Sequence, residues 1–144
     1  RECLGQLLTA AKTTDNVIFH FGKDLDIDPI TIYNQDNLTD EQLAFYYSQC
    51  HYVSGLRRRE GFELPVLEGL LCGARPIVYD NANYRKWFDG LAIFMPESTQ
   101  TDLVERLEKL WILPPENPVT KIEKEWVKYR FNWEDIVTGF WNKL

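Results

Sequence analysis

The sequence is short of the residues that most often announce a site by themselves. It holds three cysteines, Cys3, Cys50 and Cys72, and no two of them form a C-x-x-C pair. An odd, scattered set builds no disulfide framework and suits a reducing compartment, so a cytoplasmic setting is expected. Its two histidines, His20 and His51, stand apart, and no His/Cys cluster has the spacing of zinc ligands. No apolar run approaches the roughly 18 residues of a membrane span, and no signal-peptide pattern is visible. Basic residues are outnumbered, 16 Lys and Arg against 22 Asp and Glu, for a formal charge of −6. That balance argues against nucleic acid as a partner, since a phosphate backbone selects a basic surface. It also argues against charge-driven binding to an anionic membrane. There is no internal repeat and no low-complexity segment.

What is present is a hydrophobic content of 44% over 144 residues, enough for one domain with a real core. A single domain over residues 1–144 is expected, with closing helices from about residue 121. The first residue is Arg1 rather than Met, which reads as a piece of something longer.

The organising stretch is Glu60-Gly61-Phe62-Glu63-Leu64-Pro65-Val66-Leu67-Glu68-Gly69-Leu70-Leu71-Cys72-Gly73. It reads as a Gly-containing loop feeding a helix. Pro65 suits the first helical turn, where no backbone N–H is needed. Val66, Leu67, Leu70 and Leu71 give an apolar face, and Gly73 stands where a helix end favours a left-handed residue. Arg75-Pro76 then stops the helix. A helix start offers free N–H groups and the positive end of a dipole, so it is suited to an anion such as a diphosphate. Glu60 and Glu68 bracket that start, seven residues apart. An acid near a ribose commonly accepts from its vicinal hydroxyls, a role open to Glu68. The alternative is a solvated loop acid and a helix-dipole acid.

Around this stretch, strands and helices alternate. Residues 2–12 are predicted helical. Val17–Phe21 is a strand, and Ile30–Tyr33 a shorter one. Glu41–Gln49 is a helix with Thr39 as its N-cap. Tyr52–Ser54 is a strand leading into the loop Gly55–Arg59 and the motif. Pro76–Tyr79 and Leu91–Met95 are strands on either side of a short helix, Asn83–Phe88. Thr101–Trp111 is amphipathic, with Leu103, Val104, Leu107, Leu110 and Trp111 on one face. Lys121–Tyr129 and Asn132–Trp141 close the chain, with Asn132 and Asp135 as a helix-start pair. The alternation predicts an α/β fold, a doubly wound Rossmann-like parallel sheet with helices on both faces and ligands beyond the carboxyl ends of its strands.

The motif resembles the donor site of retaining nucleotide-sugar-dependent glycosyltransferases of the GT-B fold, the "glycosyl transferases group 1" family. Its pattern is written around E-G-F-G-L-P-x-x-E-A-x-A-C-G-x-P-V, against E-G-F-E-L-P-V-L-E-G-L-L-C-G-A-R-P-I here. Leu38–Leu43 through Tyr46-Tyr47 resembles the family's helix before the donor strand, and Arg130-Phe131-Asn132-Trp133 its F-S-W entry to the last helices. The resemblance spans nearly the whole chain but only half of a GT-B enzyme. It implies transfer of a sugar from a nucleoside diphosphate sugar to an acceptor hydroxyl with retention. Glu60 would be the catalytic residue facing the sugar. Gly61, Phe62, Glu63 and Leu64 would line sugar and phosphate, and Glu68 would hold the ribose. The acceptor would be a sugar, glycan or lipid-linked group bound by an N-terminal half that this chain lacks. The first strand of the donor half, whose loop supplies an Arg and a Lys to the phosphates, is lacking too, so this fragment alone is expected to be inactive. No metal and no cofactor are implied. Glu63 departs from the family's Gly, so its side chain must turn away from the phosphates.

Other readings accompany this one. The chain could be a non-catalytic nucleotide-sugar-binding or interaction module. A signalling receiver would need acids at separate strand ends, whereas Asp24, Asp26 and Asp28 share one loop. Arg57-Arg58-Arg59 reads first as a surface run, and otherwise as a binder of phosphates or an anionic acceptor. Cys72 reads as structural, with no cationic neighbour implied. His20, at the end of a strand, reads as a packed residue first. The five Trp are mainly core, some being left to face the absent half or a membrane interface.

Overall fold

The computed structural model describes residues 3–21, 32–35, 37–59, 62–113 and 118–132, together with 134, 135 and 138. Eleven elements follow in order among them: α1 (Leu4–Thr13), β1 (Ile18–Phe21), β2 (Ile32–Gln35), α2 (Asp40–Gln49), β3 (Tyr52–Gly55), α3 (Leu64–Cys72), β4 (Arg75–Tyr79), α4 (Ala82–Phe88), β5 (Ile93–Met95), α5 (Gln100–Ile112) and α6 (Lys121–Arg130). The fold is α/β. β3, β4 and β5 form a parallel sheet in that order, and β1 and β2 form a separate parallel pair. No ladder joins the two sheets among the described residues.

Local chemistry sets most of the boundaries. Thr39 opens α2 with a reciprocal cap. Its hydroxyl accepts from the Gln42 N–H at 3.3 Å, while its own N–H donates to Gln42 Oε1 at 2.9 Å. Asn81 and Thr99 cap α4 and α5 through their side-chain oxygens. Gly73 closes α3 at φ 113°, and its N–H and that of Ala74 return to Gly69 and Leu70 carbonyls, as a left-handed cap requires. β5 starts at Ile93, two residues after the expected Leu91. The N–H groups of Leu91 and Ala92 are committed to the Phe88 carbonyl, so the turn after α4 consumes both residues. β2 runs past the expected Tyr33 to Gln35, and residues 30 and 31 lie outside those described.

The core lies around β4, every residue of which is buried, as befits a strand covered on both faces. Val66, Leu67 and Leu70 of α3, Ile77 and Val78 of β4, Phe88 of α4 and Leu103 and Leu107 of α5 share one cluster with Val127 of α6. α1 packs against α5 and buries Ala10 and Ala11. The predicted α5 stripe sits on this cluster, with Leu103 and Leu107 fully inside and Val104, Leu110 and Trp111 partly so. The closing segment Asn132–Trp141 falls mostly outside the described residues. Its start is described: Asn132 Oδ1 accepts from the Glu134 N–H, and Asn132 Nδ2 donates to Asp135 at 2.9 Å.

Two tertiary contacts hold α3 and α6 in place. At Gly69 the helix backbone rides so close to β3 that an added Cβ would stand 2.7 Å from Val53 carbons. Arg75, only 8% exposed, donates to Glu123 of α6 at 2.7 and 3.2 Å, to the Leu91 carbonyl and to the Pro118 carbonyl. Glu123 also accepts from the Thr120 N–H, closing the capping box of α6. The Arg75 hydrogen bonds hold the Glu123 carboxyl down at about 2, against an ordinary value of 4.5.

Gly69→Ala is expected to destabilise the fold by about 1–3 kcal/mol, because the added Cβ would stand within 3 Å of three carbons of the buried Val53, its Cβ among them, so that strand and helix must part. Denaturant unfolding with an unchanged midpoint would contradict the close approach. A carboxylate with a depressed pKa stabilises the fold above its unfolded value and loses that contribution as pH falls through its folded value. Glu123→Gln is therefore expected to cost about 2–3 kcal/mol at neutral pH. The gap to wild type should narrow as pH falls from 4.5 toward about 2. A gap that stays constant with pH would show that the ion pair is not its source.

Candidate functional site

α3 begins on the loop that leaves the carboxyl end of β3, the edge at which ligands bind in parallel α/β sheets. Glu63 is its N-cap residue and makes no side-chain cap, and Pro65 falls in its first turn. The first intrahelical bond runs from the Leu67 N–H to the Glu63 carbonyl at 3.2 Å. The amides of Leu64 and Val66 thus precede the helix's own ladder, and Pro65 has no N–H to offer.

The structure separates the motif's side chains. Phe62 turns inward, its ring 5.3 Å from Trp87, 5.5 Å from Phe131 and 6.0 Å from Phe88. The ring is thus committed to the core, which leaves the backbone of Phe62 as its part open to a ligand. Glu63 is 4% exposed, and its carboxylate lies 3.3 Å from Arg57 Nε. Its charge is thus withdrawn from solvent and set against a cation. Leu64 is half exposed at the helix start. Glu68 stands on the exposed side of α3 and accepts from the Tyr47 hydroxyl of α2 at 3.4 Å. Burial, reinforced by the Glu68 charge, pushes the Tyr47 phenol well above its ordinary value, so the tyrosine stays protonated and a donor. Glu60 and Gly61, the expected catalytic residue and the turn glycine, lie outside the described residues.

A cavity of about 80 Å³ opens beside this loop, bounded by Cys3 and Gln6 of α1, Arg58, Tyr79 at the end of β4, and Ser98 and Thr99 before α5. Arg58, two residues before Glu60, is the part of the loop that reaches it. Phe62, Glu63, Leu64 and Glu68 do not line it, so the hollow lies beside the motif's helix start rather than across it. Cys3 Sγ and the Tyr79 hydroxyl meet at 2.8 Å in its wall.

Sequence reasoning missed several of these placements. Lys124 of α6 stands beside the end of α3 and acts on Cys72, so the cysteine does have a cationic neighbour. Burial outweighs that lysine and raises the thiol, which keeps Cys72 in an unreactive form. The buried Arg75 carried no local signal beyond its place before Pro76. Trp87 is packed as expected, while Trp126 is 43% exposed under the Arg130 guanidinium. Trp133 and Trp141 lie outside the described residues, as do Asp24, Asp26 and Asp28. Among the described residues, no group of three or more His, Cys, Asp or Glu could hold a metal ion, and no helix is long and apolar enough to cross a membrane.

No protein-family model matches the chain, and no curated protein matches it either.

Arg57→Gln removes the cation facing a nearly fully buried carboxylate, and is expected to destabilise the chain by about 1–2 kcal/mol. Arg59→Gln, in the same run, should leave the thermal midpoint unchanged. Equal effects of the two substitutions would reduce the Arg57–Glu63 pair to an incidental surface contact.

Proposed function

We propose that the chain is the donor-binding half of a retaining glycosyltransferase of the GT-B kind, acting on a nucleoside diphosphate sugar. The observation that carries the reading is the Glu60…Glu68 spacing across the start of α3, with Glu68 presented on the helix's exposed side. The sheet gives independent support. A doubly wound sheet of order 3-2-1-4-5-6, taken without its first strand, leaves a pair and a triplet, all parallel. β1–β2 and β3–β4–β5 are a parallel pair and a parallel triplet, as such a sheet would leave.

On this reading the diphosphate lies at the start of α3 and accepts from the Leu64 and Val66 amides. The positive end of the helix opposes the negative charge that builds on the diphosphate as the sugar leaves. Such stabilisation needs a rigid helix start, and the Phe62 ring, packed among Trp87, Phe88 and Phe131, holds the backbone there. Glu68 accepts from the ribose hydroxyls, while Tyr47 occupies one of its oxygens and fixes its rotamer. Glu60 orients the sugar. Arg57 offsets the Glu63 charge, which would otherwise repel a diphosphate at this end of the helix. The acceptor, a sugar, glycan or lipid-linked group, belongs to a second half across a cleft, and the Arg and Lys that complete phosphate binding belong to the loop after the first strand of the donor half.

Glu63 favours one alternative. A carboxylate at the helix start, where the family's pattern has Gly, weakens stabilisation of a departing diphosphate. That fits a module that binds the nucleotide sugar without turning it over. Binding with neither hydrolysis nor transfer in the full-length protein would select this alternative.

Calorimetric titration of the chain with uridine and guanosine diphosphates and their hexose conjugates tests the donor reading. Saturable binding is expected for one base. Glu68→Ala should weaken it about 10- to 100-fold, the loss of hydrogen bonds to a charged acceptor. Saturable binding that Glu68→Ala leaves untouched would remove the donor role from this site.

A further inference from the structure

The inner side of α6 is fixed by Val127, buried in the core, and by the Glu123–Arg75 ion pair. Its outer side carries Ile122, 82% exposed, Tyr129, 79% exposed, and the partly exposed Trp126. Spacings of four and three residues set these three on one stripe of the helix. Eight large apolar side chains are exposed among the described residues. Three are these, and no other helix carries more than one.

The charges beside the stripe are mostly positive. Lys121, Lys128 and Arg130 are the exposed cations of α6, and Glu125 is its one exposed acid, 3.3 Å from Lys128 Nζ. Helical periodicity puts Arg130 on one flank of the stripe and Lys121 and Lys128 on the other. The Arg130 guanidinium carbon stands 4.9 Å over the Trp126 ring. Arg130 also donates to the Lys86 carbonyl at 2.8 Å, which brings a further exposed cation of α4 to this side. Glu134 and Asp135 come only after the helix has ended. A second copy laid antiparallel on the stripe would set Lys121 near Arg130 and Lys128, like charge against like. Protein interfaces are also depleted of Lys, and a stable one takes roughly 20–30 residues a side. A bilayer surface suits the arrangement better. Ile reaches the acyl boundary, Trp and Tyr sit at headgroup level, and Lys and Arg extend along their own stems to lipid phosphates. The whole-chain charge of −6 opposes approach from a distance. Beyond about 8 Å that charge is largely screened at physiological ionic strength, so the local cations decide the contact.

We propose that the outer face of α6 rests on an anionic phospholipid bilayer, with Ile122, Trp126 and Tyr129 entering its interface and Lys121, Lys128 and Arg130 on its phosphates. The helix has ten residues and a narrow stripe, so the attachment is peripheral and reversible. It is independent of the donor reading, because none of these side chains belongs to the start of α3.

The test is co-sedimentation of the full chain with vesicles of phosphatidylcholine alone and of phosphatidylcholine mixed with phosphatidylglycerol. Binding is expected to the mixed vesicles, far weaker binding to phosphatidylcholine alone, and a fall in binding as salt rises. Ile122→Asp should weaken it about tenfold or more, the loss of a buried aliphatic side chain. Lys121→Gln and Lys128→Gln should each weaken it about fivefold. Val17→Ser removes an exposed apolar side chain elsewhere and should leave binding unchanged, as should Glu68→Ala. Equal binding to the two kinds of vesicle, or none to either, would overturn the proposal. So would a Val17→Ser protein that loses as much as Ile122→Asp does. Absence of vesicle binding together with a dimer that Ile122→Asp dissolves, seen by sedimentation velocity, would give the face to a second copy instead. Should Ile122→Asp fail to fold, unchanged binding in a Lys121→Gln, Lys128→Gln double variant would overturn the proposal equally.

Discussion

The structure turns on how closely α3 lies against β3. With no side chain at Gly69, the helix backbone meets Val53 directly, and any larger residue would push the two apart. That contact fixes the direction of α3 from the end of the strand, and with it the direction in which its first amides point. The left-handed turn at Gly73 then returns the chain to β4 with three backbone hydrogen bonds, so the middle of the helix and its last turn are both held by geometry that glycine supplies freely. Arg75 completes the frame by joining β4 to the start of α6 and to the turn before β5. A rigid helix start is what an anion-binding role demands, since preorganised donors cost nothing to reorient when charge arrives.

Charge around this start is divided rather than pooled. The Glu63 carboxylate is taken out of water and set against Arg57. Glu68 stays on the exposed side, held by a neutral tyrosine donor that leaves its charge intact. Arg58 leans the other way, over Tyr79 and toward the small cavity. Neighbouring charged residues on one loop and one helix thus serve three different surroundings. A single run of arginines therefore need not be one functional patch.

The features legible in the sequence are those governed by neighbours in the chain. Thr39 and Gln42, Pro65, Gly73 and the α5 stripe each obey a rule that spans a few residues, and the elements they predict are present. The start of β5 was less legible, because hydrogen bonding in the turn after α4 decides whether Leu91 and Ala92 extend or curl. The placements that escaped were long-range. Arg75 finds Glu123 across 48 positions, Lys124 reaches the end of α3 from α6, and Cys3 meets Tyr79 across 76 positions. The burial of Glu63 against Arg57 is likewise a placement that no spacing encodes. Of the candidate site, the helix start and the exposure of Glu68 could be read from the motif. The separate cavity could not, because it is assembled from four segments that only the fold brings together.

A crystal structure of the chain grown with a saturating nucleoside diphosphate would test the central claim most directly. The account predicts the diphosphate at the start of α3, within hydrogen-bonding distance of the Leu64 and Val66 amides, and the ribose hydroxyls on Glu68. A diphosphate bound away from α3, or a ribose turned from Glu68, would contradict it.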